Sequence, residues 1–173
     1  MNIDHAVHDR IVSTTGKVYQ WKSDDTVIDL DTQLSTDACS VYRASNRTLP
    51  GAGVVTYAVL PNGQLAGGEN QAQAAADVLR SCGAGKSAAW WSRVVSSFIG
   101  NAVGLVIDKD NRLAIGAVEE TGQVYAEPRL ERNGAGATLD YFVMRQATQP
   151  ARVHASLPAS GPLQIEVENL HKS

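Results

Sequence analysis

The chain has 173 residues, 43% of them hydrophobic and 19% charged, with 15 Lys and Arg against 18 Asp and Glu for a net charge of −3. That apolar share supports a packed core and excludes a disordered chain, while the scattered charges exclude the basic stripe that non-specific nucleic-acid binding needs. No apolar run approaches the roughly 18 residues of a membrane-spanning helix, and "MNIDHAVHDR" has neither the basic nor the apolar region of a signal peptide.

These bounds lead us to expect one domain over residues 1–173, with two small lobes also compatible with the length. The expected place is the cytoplasm, or the outside of the cell by a signal-peptide-independent route. Cys39 and Cys82 are the two cysteines, too few for a disulfide framework or a four-cysteine zinc site. They can form one bridge, but a cytosolic setting favours free thiols.

In chain order, residues 3–14 suggest a short helix ending near Gly16. "KVYQW" (17–21) and "TVIDL" (26–30) read as strands around a Ser-Asp-Asp turn. The run "STDACSVYRASNR" (35–47) is open: Ser35, Thr36 and Asp37 are candidate helix N-caps, yet Val41-Tyr42 suits a strand. "VVTYAVLPNGQLAGG" (54–68) reads as a hairpin on a tight Asn62-Gly63 turn.

Two helices follow. The first, about 69–82, places Ala75, Val78, Leu79 and Cys82 on one face. The second, about 87–99, places Trp91, Val94, Val95 and Phe98 at i, i+3, i+4, i+7, with Gly100 able to end it. The remainder reads as six strands in three pairs. "VGLVID" and "RLAIGAV" flank "KDN", "GQVYAEPRLE" and "TLDYFVMR" flank "RNGAGA", and "ARVHASL" and "LQIEVEN" flank "PASGP". Strands gathered around a helical block imply an α+β class. The expected architecture is a central helical hairpin, about 69–99, on a mainly antiparallel sheet built largely from the C-terminal half.

The most motif-like stretch, "SCGAGKSAAWWS" (81–92), ends like a phosphate-binding loop at Gly85-Lys86-Ser87. Such a loop needs a glycine five positions before Gly85, where Arg80 stands, and a strand before it rather than a helix. A preceding helix aims the negative end of its dipole at the loop. Gly83 capping one helix and Ser87 the next explains the same letters. "DHAVHD" (4–9) offers two histidines, which do not close a metal site, and "DKDNR" (108–112) lacks the glycine and glutamate of a calcium loop. No cofactor or metal is expected.

Cys39 leads the candidates for chemistry. A thiolate is stabilised by a helix N-terminus and a nearby histidine, and Cys39 would sit in the first turn of a 37–46 helix. Gln33 is placed to donate to an oxyanion. Alternation in "RVHASL" puts His154 off the apolar face, and Asn169 on the next strand is a candidate to orient it.

Gln33, Cys39, His154 and Asn169, with a sheet carrying the histidine, resemble the papain-like cysteine hydrolases. The resemblance implies hydrolysis of an amide in a protein or peptide: Cys39 attacks, His154 protonates the leaving amine, Asn169 orients the imidazole and Gln33 holds the oxyanion. The order Arg43, Ser96, Glu168 is in turn similar to that of bacterial mono-ADP-ribosyltransferases, which implies NAD phosphate on Arg43 and the cationic ribose on Glu168. A helix over 37–46 favours the cysteine reading and a strand favours Arg43. The competing class is a non-catalytic α+β module that binds a protein partner through hairpin edges or loops, in which Cys39 is buried and unreactive.

Overall fold

The computed structural model describes residues 4–100, 103–146 and 148–172; Ile3, first residue of the expected 3–14 helix, lies outside them. The fold is α+β, with four helices and two antiparallel sheets among the described residues. The chain divides into two compact units, Met1–Ala84 and Gly85–Ser173.

The first unit runs α1 (His5–Tyr19), β1 (Thr26–Leu30), β2 (Ser40–Asn46), β3 (Val54–Val59), β4 (Leu65–Ala66) and α2 (Gln71–Cys82). Its strands form a meander in the order β1-β2-β3-β4. Asp4 caps α1 by accepting from the Ala6 N–H at 2.8 Å. The helix then passes through Gly16 and ends at Gln20, whose φ is 61°. The strand expected over 17–21 is therefore mostly the last turn of a helix. A glycine costs about 1 kcal/mol in a helix interior, and the buried face of α1 outweighs that. Ile11 packs with Trp21, Ile28, Tyr42, Ala44, Val55 and Tyr57 in one core.

Register explains that core. Leu30 lies opposite Tyr42 and Ile28 opposite Ala44, while Tyr42 faces Tyr57 and Ala44 faces Val55, so one sheet face is continuously apolar. Buried behind it, the Thr15 hydroxyl donates to the Ile11 carbonyl and accepts from the Tyr57 hydroxyl, each at 2.7 Å. Burial raises the Tyr57 pKa above its ordinary value. The β3–β4 hairpin is present, but its loop is longer than two residues. Leu60 donates to the Gln64 carbonyl, and of Asn62 and Gly63 only Gly63 has positive φ. After β4 the backbone threads between α1 and the sheet at Gly67 and Gly68. A Cβ on Gly67 would lie 2.7 Å from the Thr56 carbonyl oxygen, and one on Gly68 2.6 Å from Thr14 Cγ2.

The second unit runs α3 (Ala88–Ile99), β5 (Leu105–Val106), α4 (Arg112–Glu119), β6 (Arg129–Asn133), β7 (Gly136–Arg145), β8 (Gln149–Leu157) and β9 (Gln164–Asn169). Its sheet has the order β5-β7-β8-β9, with β6 also paired to β7. The helices at 71–82 and 88–99 match expectation, but each belongs to its own unit with its own sheet.

Residues 112–118 form a helix rather than the expected strand. Asn111 caps it by accepting from the Ala114 N–H at 3.1 Å. Ala114 and Val118, one turn apart at i, i+4, are buried while Leu113 is 91% exposed. The strand expected from residue 122 begins only at Arg129, just past Pro128. Proline cannot donate to a ladder, and Tyr125 instead turns inward, its ring 5.8 Å from that of Phe142 and its hydroxyl donating to the Ile107 carbonyl.

Alternation gives the long β7–β8 pair two different faces. Leu139, Tyr141 and Val143 are buried with Val153, Ala155 and Leu157, and Ser96 of α3 hydrogen-bonds the Tyr141 hydroxyl at 2.9 Å. On the other face, α4 packs over Phe142, and Asp140, Arg152 and His154 stand outside that cluster, part-exposed.

Candidate functional site

Residues 35–41 carry the N-cap signal but use it to start a strand. Thr36 Oγ1 accepts from the N–H groups of Ala38 (3.2 Å) and Cys39 (3.0 Å), and the Thr36 N–H donates back to the Cys39 carbonyl at 2.8 Å. Ser35 Oγ accepts from the Val41 N–H at 2.9 Å. Short hydroxyl side chains satisfy a turn this way as readily as a helix end. The β-branched and aromatic residues then take over, and β2 becomes an inner strand between β1 and β3. The 37–46 helix that would have activated Cys39 is absent.

Cys39 also carries no thiol. It is disulfide-bonded to Cys82 at the end of α2, with 6.2 Å between their Cα atoms and a sequence separation of 43. Both sulfurs sit in the buried interior of the first unit, Cys39 at 0% exposure and Cys82 at 8%. The expectations of a free Cys39 and a merely packed Cys82 are both corrected by this bond. Gln33 is exposed, and its N–H is held by Asp31 Oδ1 at 3.0 Å in an Asp-initiated turn.

In the second unit, His154 has a different partner from the one expected. Its Nδ1 lies 2.9 Å from Asp140 Oδ1, directly across the β7–β8 ladder, with Arg152 Nη2 3.7 Å from the same oxygen. Asn169 lies opposite Ala151, whereas His154 lies opposite Glu166. Successive residues of a strand point to opposite faces, so Asn169 is on the apolar side of the sheet and His154 on the polar side. Asn169 accepts from Arg145 at 2.9 Å instead. Asp140 was legible in principle, because Leu139, Tyr141 and Val143 claim the apolar face of "TLDYFVMR" and leave it outside.

An aspartate-oriented imidazole is half of a nucleophilic apparatus. Both cysteines of the chain belong to the first unit, so the second unit supplies no thiol for it. Of the second residue set, Arg43 is exposed and opposite Asp29 and Thr56. Ser96 is engaged with Tyr141, and Glu168 is exposed opposite Arg152.

The remaining motifs resolve structurally. Residues 83–87 join two helices. The Gly83 N–H donates to the Leu79 carbonyl, and Ser87 Oγ accepts from the Trp90 N–H at 3.1 Å. Trp90 and Trp91 are buried, with the Arg132 guanidinium 5.1 Å from the Trp91 ring centre. His8 lies 3.6 Å from Asp9. Among the described residues no cluster of three or more His, Cys, Asp or Glu forms a metal site, and no helix is long and apolar enough to cross a membrane. The first unit has a cleft of about 700 Å3 between α1 and α2, lined by Asp9, Lys17, Leu65, Asn70, Gln73 and Asp77 among others. No protein-family model, curated protein or solved structure matches the chain.

Proposed function

We propose that this chain is a non-catalytic protein-binding module that works in an oxidising compartment. One observation carries the non-catalytic and the oxidising-compartment parts of the reading: the sulfur of the candidate nucleophile is spent in a buried disulfide. A disulfide sulfur cannot act as the attacking thiolate, and structural disulfides persist where the surroundings are oxidising. The bond closes a 43-residue separation around β2, β3, β4 and α2. Cross-linking a loop of that length removes about 4 kcal/mol of chain entropy from the unfolded state. That is a structural staple, and its burial shields it from exchange with solvent thiols.

The test is alkylation of the native, unreduced protein with iodoacetamide at neutral pH. The expected result is no change in mass. Rapid stoichiometric modification of Cys39 would return the residue to the role of nucleophile and overturn the reading.

A further inference from the structure

We propose that the outer edge of β9 is a docking site for an extended basic segment of a partner protein, added as a further strand. This deepens the binding reading above and rests on it. β9 ends the order β5-β7-β8-β9, so one side of its backbone has no strand beside it among the described residues. The Leu170 N–H donates inward to the Pro150 carbonyl at 2.9 Å. In an antiparallel ladder every second residue bonds the same neighbour. Glu168, Glu166 and Gln164 therefore also face β8, opposite Arg152, His154 and Ser156, while the N–H and C=O groups of Ile165, Val167 and Asn169 point away from it. Three consecutive outward pairs are the template that strand addition uses.

Side chains select the occupant. Glu166 and Glu168 are exposed on one face, and Ile165 and Val167 are half-buried on the other. Neither glutamate makes an ion pair with another described residue, since Arg152 is drawn to Asp140 instead. Directly opposed opposite charges stabilise a pair of strands and like charges destabilise it. A strand with lysine or arginine at alternate positions and apolar residues between them meets both faces. A second copy of this chain does not: pairing Val167 against Val167 in an antiparallel dimer would set Glu166 against Glu168 twice. The same two glutamates guard the edge against self-association and leave it open to a basic partner.

The probe is the acetylated, amidated peptide Lys-Val-Lys-Val-Lys-Val-Lys, with a scrambled peptide of equal composition as control, titrated into the full chain. Binding is followed by amide hydrogen exchange and fluorescence anisotropy. The alternating peptide is expected to bind more tightly than the scrambled one and to slow exchange at Ile165 and Val167. Two variants separate backbone from charge. Val167→Pro removes an outward N–H, a place where an edge strand tolerates proline, and should abolish binding. Glu166→Lys with Glu168→Lys should weaken it at least tenfold and transfer the preference to the corresponding glutamate peptide. Circular dichroism and a melting curve establish that both variants are folded.

Equal binding of the two lysine peptides, unchanged binding by folded Val167→Pro, or no binding at millimolar peptide would overturn the proposal. None of these outcomes alters the iodoacetamide result, so the docking site can fail while the non-catalytic reading stands.

Discussion

The two units solve the same problem by different means. In the first, a four-stranded meander carries α1 on its apolar face and is stapled by Cys39–Cys82. The second contains no cysteine. There the ten-residue β7 pairs with β5, β6 and β8, with α3 and α4 packed against the sheet. A unit of short strands gains from an entropic cross-link, whereas a long central strand gathers more ladder around it. The difference assigns the labour: redox sensitivity belongs to the first unit, and the free polar surface at β9 to the second.

The largest expected effect breaks this contrast directly. Replacing Cys39 and Cys82 together with serine should destabilise the first unit by about 2–4 kcal/mol, read as a drop in denaturant midpoint. Amide protection should fall more at Val41, Tyr57 and Val78 than along β7 and β8. Equal losses in both units would show that the bond does not act locally. The next effect probes the threading beside α1. Gly68→Ala, at φ +100° with its new Cβ 2.6 Å from Thr14 Cγ2, should cost about 1–3 kcal/mol, against about zero for Gly51→Ala, where nothing lies within 4 Å.

A smaller effect lies in the second unit. Tyr141→Phe should cost about 1 kcal/mol by removing the bond to Ser96. Burial pushes the Tyr141 pKa well above the ordinary tyrosine value. Its contribution is therefore fully present below about pH 10 and is lost as pH rises beyond that, because only the unfolded chain ionises readily. Urea midpoints of the native protein should fall between neutral and strongly alkaline pH, and the Phe variant should fall less. The smallest effect is Asn169→Ala, expected to stay within about 0.5 kcal/mol, since the side chain meets Arg145 at an exposed edge.

Local periodicity made much of the α+β class legible. The helices at 71–82 and 88–99 and strands β7, β8 and β9 stand where spacing and alternation placed them. Sequence and structure part where two local signals compete and distant packing decides. Thr36 and Ser35 advertise a helix start, but Val41 and Tyr42 are wanted between β1 and β3. Gly16 advertises a stop, but the α1 core outweighs it. Residues 112–118 read equally well at period 2, since positions 114 and 118 share a face in either structure, and the Asn111 cap decides for the helix. For the site, the side of the sheet occupied by His154 was legible from alternation. Alternation likewise places Asp140 off the apolar face, but its pairing with His154 in place of Asn169 depends on the register of β7, β8 and β9 and is not legible. The disulfide was least legible, since a separation of 43 residues leaves no local trace.

The account turns on that bond, and digestion of the unreduced protein with thiols blocked at lysis tests it most directly by mass spectrometry. A peptide containing Cys39 linked to one containing Cys82 is the predicted product in the protein taken from its native setting. Two separate, blocked-thiol peptides would contradict the account, removing both the staple of the first unit and the ground for calling the chain non-catalytic.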